Sequence, residues 1–174
     1  MPPVELDLRV THLTADAIGQ PGKRVFYIQG QSGTRTVTLI VEKVQIQSLA
    51  LGVEQFLYSV AEKFPQLAAA SADYVEERMR IPPPVDPLFR VGELGLGYDA
   101  ENDLIVLVAR EILAEDQDPA EGGVVRFWCS RSQIRAMAHW SAEVAARGRP
   151  LCPQCSEPID PEGHFCPKKN GHLH

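Results

Sequence analysis

The chain has 174 residues, 44% hydrophobic and 23% charged, which describes an ordinary globular protein with room for one cored domain and a short appendage but not comfortably for two full domains. No run approaches the ~20 apolar residues that span a bilayer, and the start, Met1-Pro-Pro-Val-Glu-Leu-Asp7, lacks the basic-then-apolar order of a secretory signal, so the expectation is a cytoplasmic protein with no membrane partner. The net charge of -6 is uneven: residues 1–123 carry ten Lys/Arg against 19 Asp/Glu, residues 124–174 seven against four, and that basic end is too weakly charged to give nucleic acid more than slight support as a partner.

Residues 4–14 alternate Leu6, Leu8 and Val10 with Asp7, Arg9 and Thr11, the period of a half-buried strand. The turn Gly19-Gln-Pro-Gly22 precedes a second strand over 24–29 (RVFYIQ), and Gln31-Ser-Gly-Thr34 separates it from a third over 36–41 (TVTLIV). From Val44 the period changes. Ile46, Leu49, Val53, Phe56, Val60 and Phe64 fall on one helical stripe, which Pro65 ends. A weaker helical stretch is expected over 67–79, then a stiff connector through Pro82-Pro-Pro84 and Pro87.

The pattern then restarts. Residues 89–98 (FRVGELGLGY), 104–110 (LIVLVAR) and 124–129 (VVRFWC) read as strands, with an acidic, Pro- and Gly-bearing loop at 115–123. Ser130-x-x-Gln133 is a capping box that opens a helix to about Arg147, and Gly148 ends it. The order is βββα twice. Gln45-Ile-Gln-Ser-Leu-Ala50 stands against Gln133-Ile-Arg-Ala-Met-Ala138 at an offset of 88, and at that offset Val37 meets Val125 and Leu39 meets Phe127. The expected fold is α+β: duplicated βββα units over 1–148 (halves about 1–81 and 88–148) form a mainly antiparallel sheet, with two long helices on one face. Residues 149–174 form a separate small module.

That module carries three of the four cysteines. In Cys152-Pro-Gln-Cys155, two sulfurs of one tight turn can hold the same ion. Cys166 follows after ten residues and His172 five residues beyond. Structural zinc takes four such ligands in a closed tetrahedron, and Cys₃His is a standard set. The fourth position is contested by His164 and His174; Asn170-Gly171 favours His172, because the pair suits a tight reversal of the chain. A thioredoxin-like reading expects a strand and a helix around the pair, whereas Pro150, Pro158 and Pro161 surround it here. One structural zinc is the expected cofactor. Cys129 reads as a buried strand thiol, and His12 and His139 as ordinary strand and helix residues.

The GQPG turn with RVFYIQ, the FRVG opening of the second half and CPQC…DPEGHFCPKKNGH together resemble domain-of-unknown-function family 3090, over nearly the whole chain. The resemblance implies a cytosolic protein with a C-terminal zinc-type motif. It implies no reaction, substrate or partner.

No phosphate loop, GxSxG elbow or HExxH occurs. Polar candidates cluster at three places: Gln20, Arg24 and Gln29 around the first turn; Glu42, Lys43 and Gln45 at the strand-to-helix junction; and Arg90 at the head of the second half. Arg24, Lys43 and Arg90 beside a glycine-bearing turn can hold an anionic small ligand. Equally, Glu42 can serve only the helix start and the cations only the solvent. Two functions follow. One is a non-enzymatic binding or adaptor protein that uses its zinc module to stiffen a surface for a protein partner. The other is a small-molecule binding protein or enzyme built on Arg24, Glu42, Lys43 and Arg90. The second requires those four residues in one concave site; the first expects them scattered.

Overall fold

The computed structural model describes residues 3–20, 22–147 and 153–154. Among them the elements run β1 (Glu5–Arg9), β2 (His12–Ile18), β3 (Val25–Ser32), β4 (Arg35–Val41), α1 (Lys43–Lys63), α2 (Glu76–Met79), β5 (Pro87–Asp99), β6 (Leu104–Glu111), β7 (Val124–Cys129) and α3 (Arg131–Ala146), with one 3-10 turn at Pro119–Glu121. The fold is α+β. Its seven strands form one mixed sheet in the order β1-β7-β6-β5-β4-β3-β2. Four of the six neighbouring pairs are antiparallel. β4 pairs with β5 in parallel, across the crossover that contains α1, and β1 pairs with β7 in parallel.

The sheet is strongly curled. β1 and β2 lie at its two ends, yet only Val10 and Thr11 separate them. The Val10 N–H donates to the Trp128 carbonyl on β7 (2.9 Å), and the next N–H, of Thr11, donates to the Gln31 carbonyl on β3 (2.7 Å). Gly30 permits this closeness: a Cβ there would stand 2.5 Å from the Phe127 ring and 3.0 Å from Val10. The inward positions of the strands, among them Ile28, Leu39, Ile105, Leu107, Val125 and Phe127, are fully buried. They form one continuous core with Ile46, Leu49 and Val53 of α1 and Ile134, Met137 and Trp140 of α3.

Strand-then-helix occurs at both places the sequence indicates, and the two helices start alike. Gln45 and Gln133 are each the third residue of their helix, and the side-chain oxygen of each accepts the N–H of the N-cap residue three positions earlier, Glu42 at 2.7 Å and Ser130 at 2.8 Å. Ile46 and Ile134, next in line, are 1% and 0% exposed.

Two expectations need correction. The single strand over 4–14 is two strands, so four rather than three precede α1. The inward phase runs on even positions to Val10 and then on odd ones, Leu13, Ala15 and Ala17, whose partners are Gly30, Ile28 and Phe26. The polar pair Thr11-His12 marks the slip. The helix expected over 67–79 is reduced to Glu76–Met79. Side chains of α3 hold the preceding backbone instead: Arg131 donates to the Ala68 carbonyl, Arg135 to the Ala70 carbonyl (both 2.7 Å), and Ser132 Oγ accepts the Ser71 N–H (2.9 Å). Groups engaged in this way are not available for the internal ladder of a helix.

Candidate functional site

The four candidate ligand residues come together. Antiparallel pairing sets Phe26, near the start of β3, opposite Val41, the last residue of β4. Parallel pairing sets Arg90 on β5 beside Ile40. The start of β3, the end of β4, the first residues of α1 and the start of β5 therefore meet at one edge. The result is a cleft of about 340 Å³ lined by Gly22, Arg24, Phe26, Glu42, Lys43 and Arg90, among others. Gly22 has φ +86°, a conformation that suits glycine and turns the chain into β3.

Each charged group has a distinct setting. Arg24 donates to the Val144 carbonyl near the end of α3 (3.2 Å), and its guanidinium lies 5.1 Å from the centre of the Phe26 ring. Arg90 donates to Glu42 Oε1 at 2.9 Å, and both side chains are about half exposed. Such a pair contributes little to stability, about 0–1 kcal/mol, but it fixes where the guanidinium points. The Lys43 side chain makes no hydrogen bond or ion pair among the described residues and is exposed. The cleft thus has three cations against one carboxylate, beside the positive end of the 21-residue helix α1. Gln29 is not part of it: it faces away and donates to Thr38 Oγ1 (2.9 Å).

The other singled-out residues have structural settings. Cys129 is fully buried and burial pushes its thiol up to about 12, which fits a core strand thiol. His139 Nε2 lies 2.8 Å from Glu54 Oε1, which also accepts from Arg135 (2.9 Å), tying α3 to α1. The Arg135 hydrogen bond holds the Glu54 carboxyl below its usual range. The proposed zinc ligands Cys152, Cys155, Cys166 and His172, with His164 and His174, lie outside the described residues. Among the described residues, no group of three or more His, Cys, Asp or Glu side chains could hold a metal ion, and no helix is long and apolar enough to cross a membrane.

Over residues 8–166 the sequence matches the family described as "Protein of unknown function (DUF3090)". The chain belongs to that family. No curated protein and no solved structure matches it. The match takes in Cys152, Cys155, His164 and Cys166 and stops short of His172 and His174.

This DUF3090 chain has a second concavity, whose lining begins at the next residues of α1, Val44 and Gln45. It is a groove of about 580 Å³ between one face of α1 (Val44, Ser48, Leu49, Gly52, Phe56) and residues 92–96 of β5. The sequence reading missed it. The available signals were glycine inside a helical stripe, at 52, and three glycines inside one strand, at 92, 95 and 97.

Proposed function

We propose that this chain is a binding protein whose cleft at the head of α1 holds a small anionic group on Arg24, Lys43 and Arg90. The observation that carries this is the convergence of residues 24, 42, 43 and 90 on one concavity, since a purely structural role would leave them scattered. Arg24 is positioned by the Val144 carbonyl and Arg90 by Glu42, while Lys43 has no described partner and can turn to a ligand. A dissociation constant of about 1 mM would correspond to roughly -4 kcal/mol. The test is calorimetric titration at low salt with inorganic phosphate and with succinate. Binding that weakens at least fivefold in Lys43→Ala and further in Arg24→Ala/Lys43→Ala supports the cleft. No heat from either anion up to tens of millimolar rejects it.

The C-terminal segment, in this reading, is a structural zinc module held by Cys152, Cys155, Cys166 and His172. Its support is ligand type and spacing, together with the exposed turn formed by Pro153 and Gln154 between the first two cysteines. Three thiolates require a reducing compartment, so we place the protein in the cytoplasm, with a protein partner. The strand-helix pairs β4-α1 and β7-α3 are read as copies of one ancestral unit, supported by the 88-residue offset and the matching glutamine caps.

A further inference from the structure

We propose that the ligand is an extended peptide of about five residues, added as a strand to β5, whose carboxylate sits in the cleft; this rests on the cleft reading above. β5 runs 13 residues but pairs with β4 only at Pro87 and Arg90, because β4 ends at Val41 and the chain turns into α1. On the other side β5 is paired with β6 as far as Asp99. From Gly92 onward the β4-side edge of β5 therefore has no strand beside it among the described residues, and alternate residues direct N–H and C=O groups that way. Gln45 Nε2 takes the first carbonyls beyond β4, those of Val91 (3.2 Å) and Gly92 (3.5 Å). Beyond them the edge borders the groove.

An extended main chain is the occupant that matches a row of open backbone donors and acceptors. The opposite wall supplies the apolar contacts: Val44 (64% exposed), Leu49 and Phe56 on α1, with Leu94 and Leu96 on β5. Gly52 lies on the same wall. Within a helix it costs about 1 kcal/mol relative to alanine, yet a Cβ there would meet nothing within 4 Å, so no close packing in the fold requires it. Its effect is to keep the groove open.

The length follows from the walls. From Gln45 to Phe56 the helix advances eleven residues, about 16 Å at ~1.5 Å each, which an extended chain covers in about five residues at ~3.3 Å each. At the far end the walls are Phe56 on α1 and Leu96 on β5. The near end adjoins the cleft: Glu42, Lys43 and Arg90 line the cleft, and Val44, Gln45 and Gly92 line the groove. The cleft's cations and the head of α1 select a carboxylate there, either a C-terminal α-carboxylate or an Asp or Glu side chain.

The experiment is selection of octapeptides with free C-termini by display on the full-length, zinc-replete protein. Fluorescence polarisation then follows on the best synthetic binder. The expected sequences have apolar residues at alternate positions and a carboxylate at one end. Affinity should fall at least tenfold in Gly52→Glu, which fills and charges the groove at a point with open space, and stay within about threefold in Gly52→Ala. N-methylation of alternate backbone amides should also cost at least tenfold. Amidation of the C-terminus, against Asp or Glu changed to Asn or Gln, tells which carboxylate is used. No sequence enriched above a Gly52→Glu control, or a binder insensitive to both Gly52→Glu and N-methylation, overturns the proposal whether or not phosphate binds the cleft. If peptide affinity responds to Gly52→Glu while phosphate fails to bind and Lys43→Ala changes nothing, the groove stands and the cleft reading alone falls.

Discussion

The ring of Phe127 on β7 occupies the space that a side chain at Gly30 on β3 would need: a Cβ at position 30 would come within 2.5 Å of it. Phe127 is fully buried. The contact joins strands from opposite halves of the sheet and sets how tightly it curls. Gly30→Ala is therefore an overpacking change, and urea denaturation should show a loss of about 1–3 kcal/mol. Phe127→Leu in the same background should return part of that loss, since the two side chains compete for one space. An additive double mutant would remove the contact as the cause.

Ile46 and Ile134 occupy the same place in their helices, directly after the capping glutamine, at 1% and 0% exposure. Truncating either to alanine leaves a cavity in a continuous core, and each change should cost roughly 2–5 kcal/mol. If the two strand-helix units are equivalent in the core as well as in sequence, the two losses should agree to within about 1 kcal/mol. A loss below ~1 kcal/mol at one site would break the equivalence.

What was legible in the sequence was local. The strand Val124–Cys129 has the bounds its sequence predicts, because its alternation is unbroken and the Ser130/Gln133 box starts a helix immediately after it. The stripe Ile46, Leu49, Val53 and Val60 is the buried face of α1. Long-range effects were not legible. The backbone of residues 68–71 is held by Arg131, Ser132 and Arg135, some sixty residues away, which overrides a weak helical propensity. The site divides in the same way. Arg24, Glu42 and Lys43 could be suspected from local chemistry. That Arg90 joins them depends on the parallel register of β4 and β5, and the open edge of β5 exists because β4 stops at Val41. Neither leaves a trace in the spacing of residues.

Cys129 predicts an alkaline sensitivity. Desolvation pushes the folded thiol from its ordinary 9.0 to about 12, whereas in the unfolded chain it ionises near the ordinary value. Between those two pH values the unfolded state binds fewer protons than the folded one. Stability is therefore whole below about pH 9 and falls as pH rises, by at most ~1.4 kcal/mol per pH unit. Tyr98, whose hydroxyl burial also raises, contributes in the same direction. Denaturation from pH 8 to 10.5 should thus show a steeper decline in wild type than in Cys129→Ala, and the native thiol should resist iodoacetamide at pH 8. Parallel slopes would show that the thiol is not the titrating group.

The proposed zinc module makes the sharpest prediction about the rest of the chain. A closed tetrahedral Cys₃His site should give about one zinc per chain on metal analysis of purified protein. Because structural zinc contributes folding free energy directly, Cys155→Ala should abolish the metal. The β1–α3 core, which ends at Ala146 with its own buried cluster, should keep its denaturation midpoint. The fourth ligand is decided by single substitutions. His172→Ala should reduce zinc content or raise its exchange rate at least tenfold, while His164→Ala and His174→Ala should leave both within about twofold. The family match, which includes His164 and ends before His172, makes the comparison pointed. Zinc retained in His172→Ala and lost in His164→Ala would move the ligand to the residue two positions before Cys166. A Cys152–Cys155 disulfide in metal-free native protein would end the zinc reading altogether.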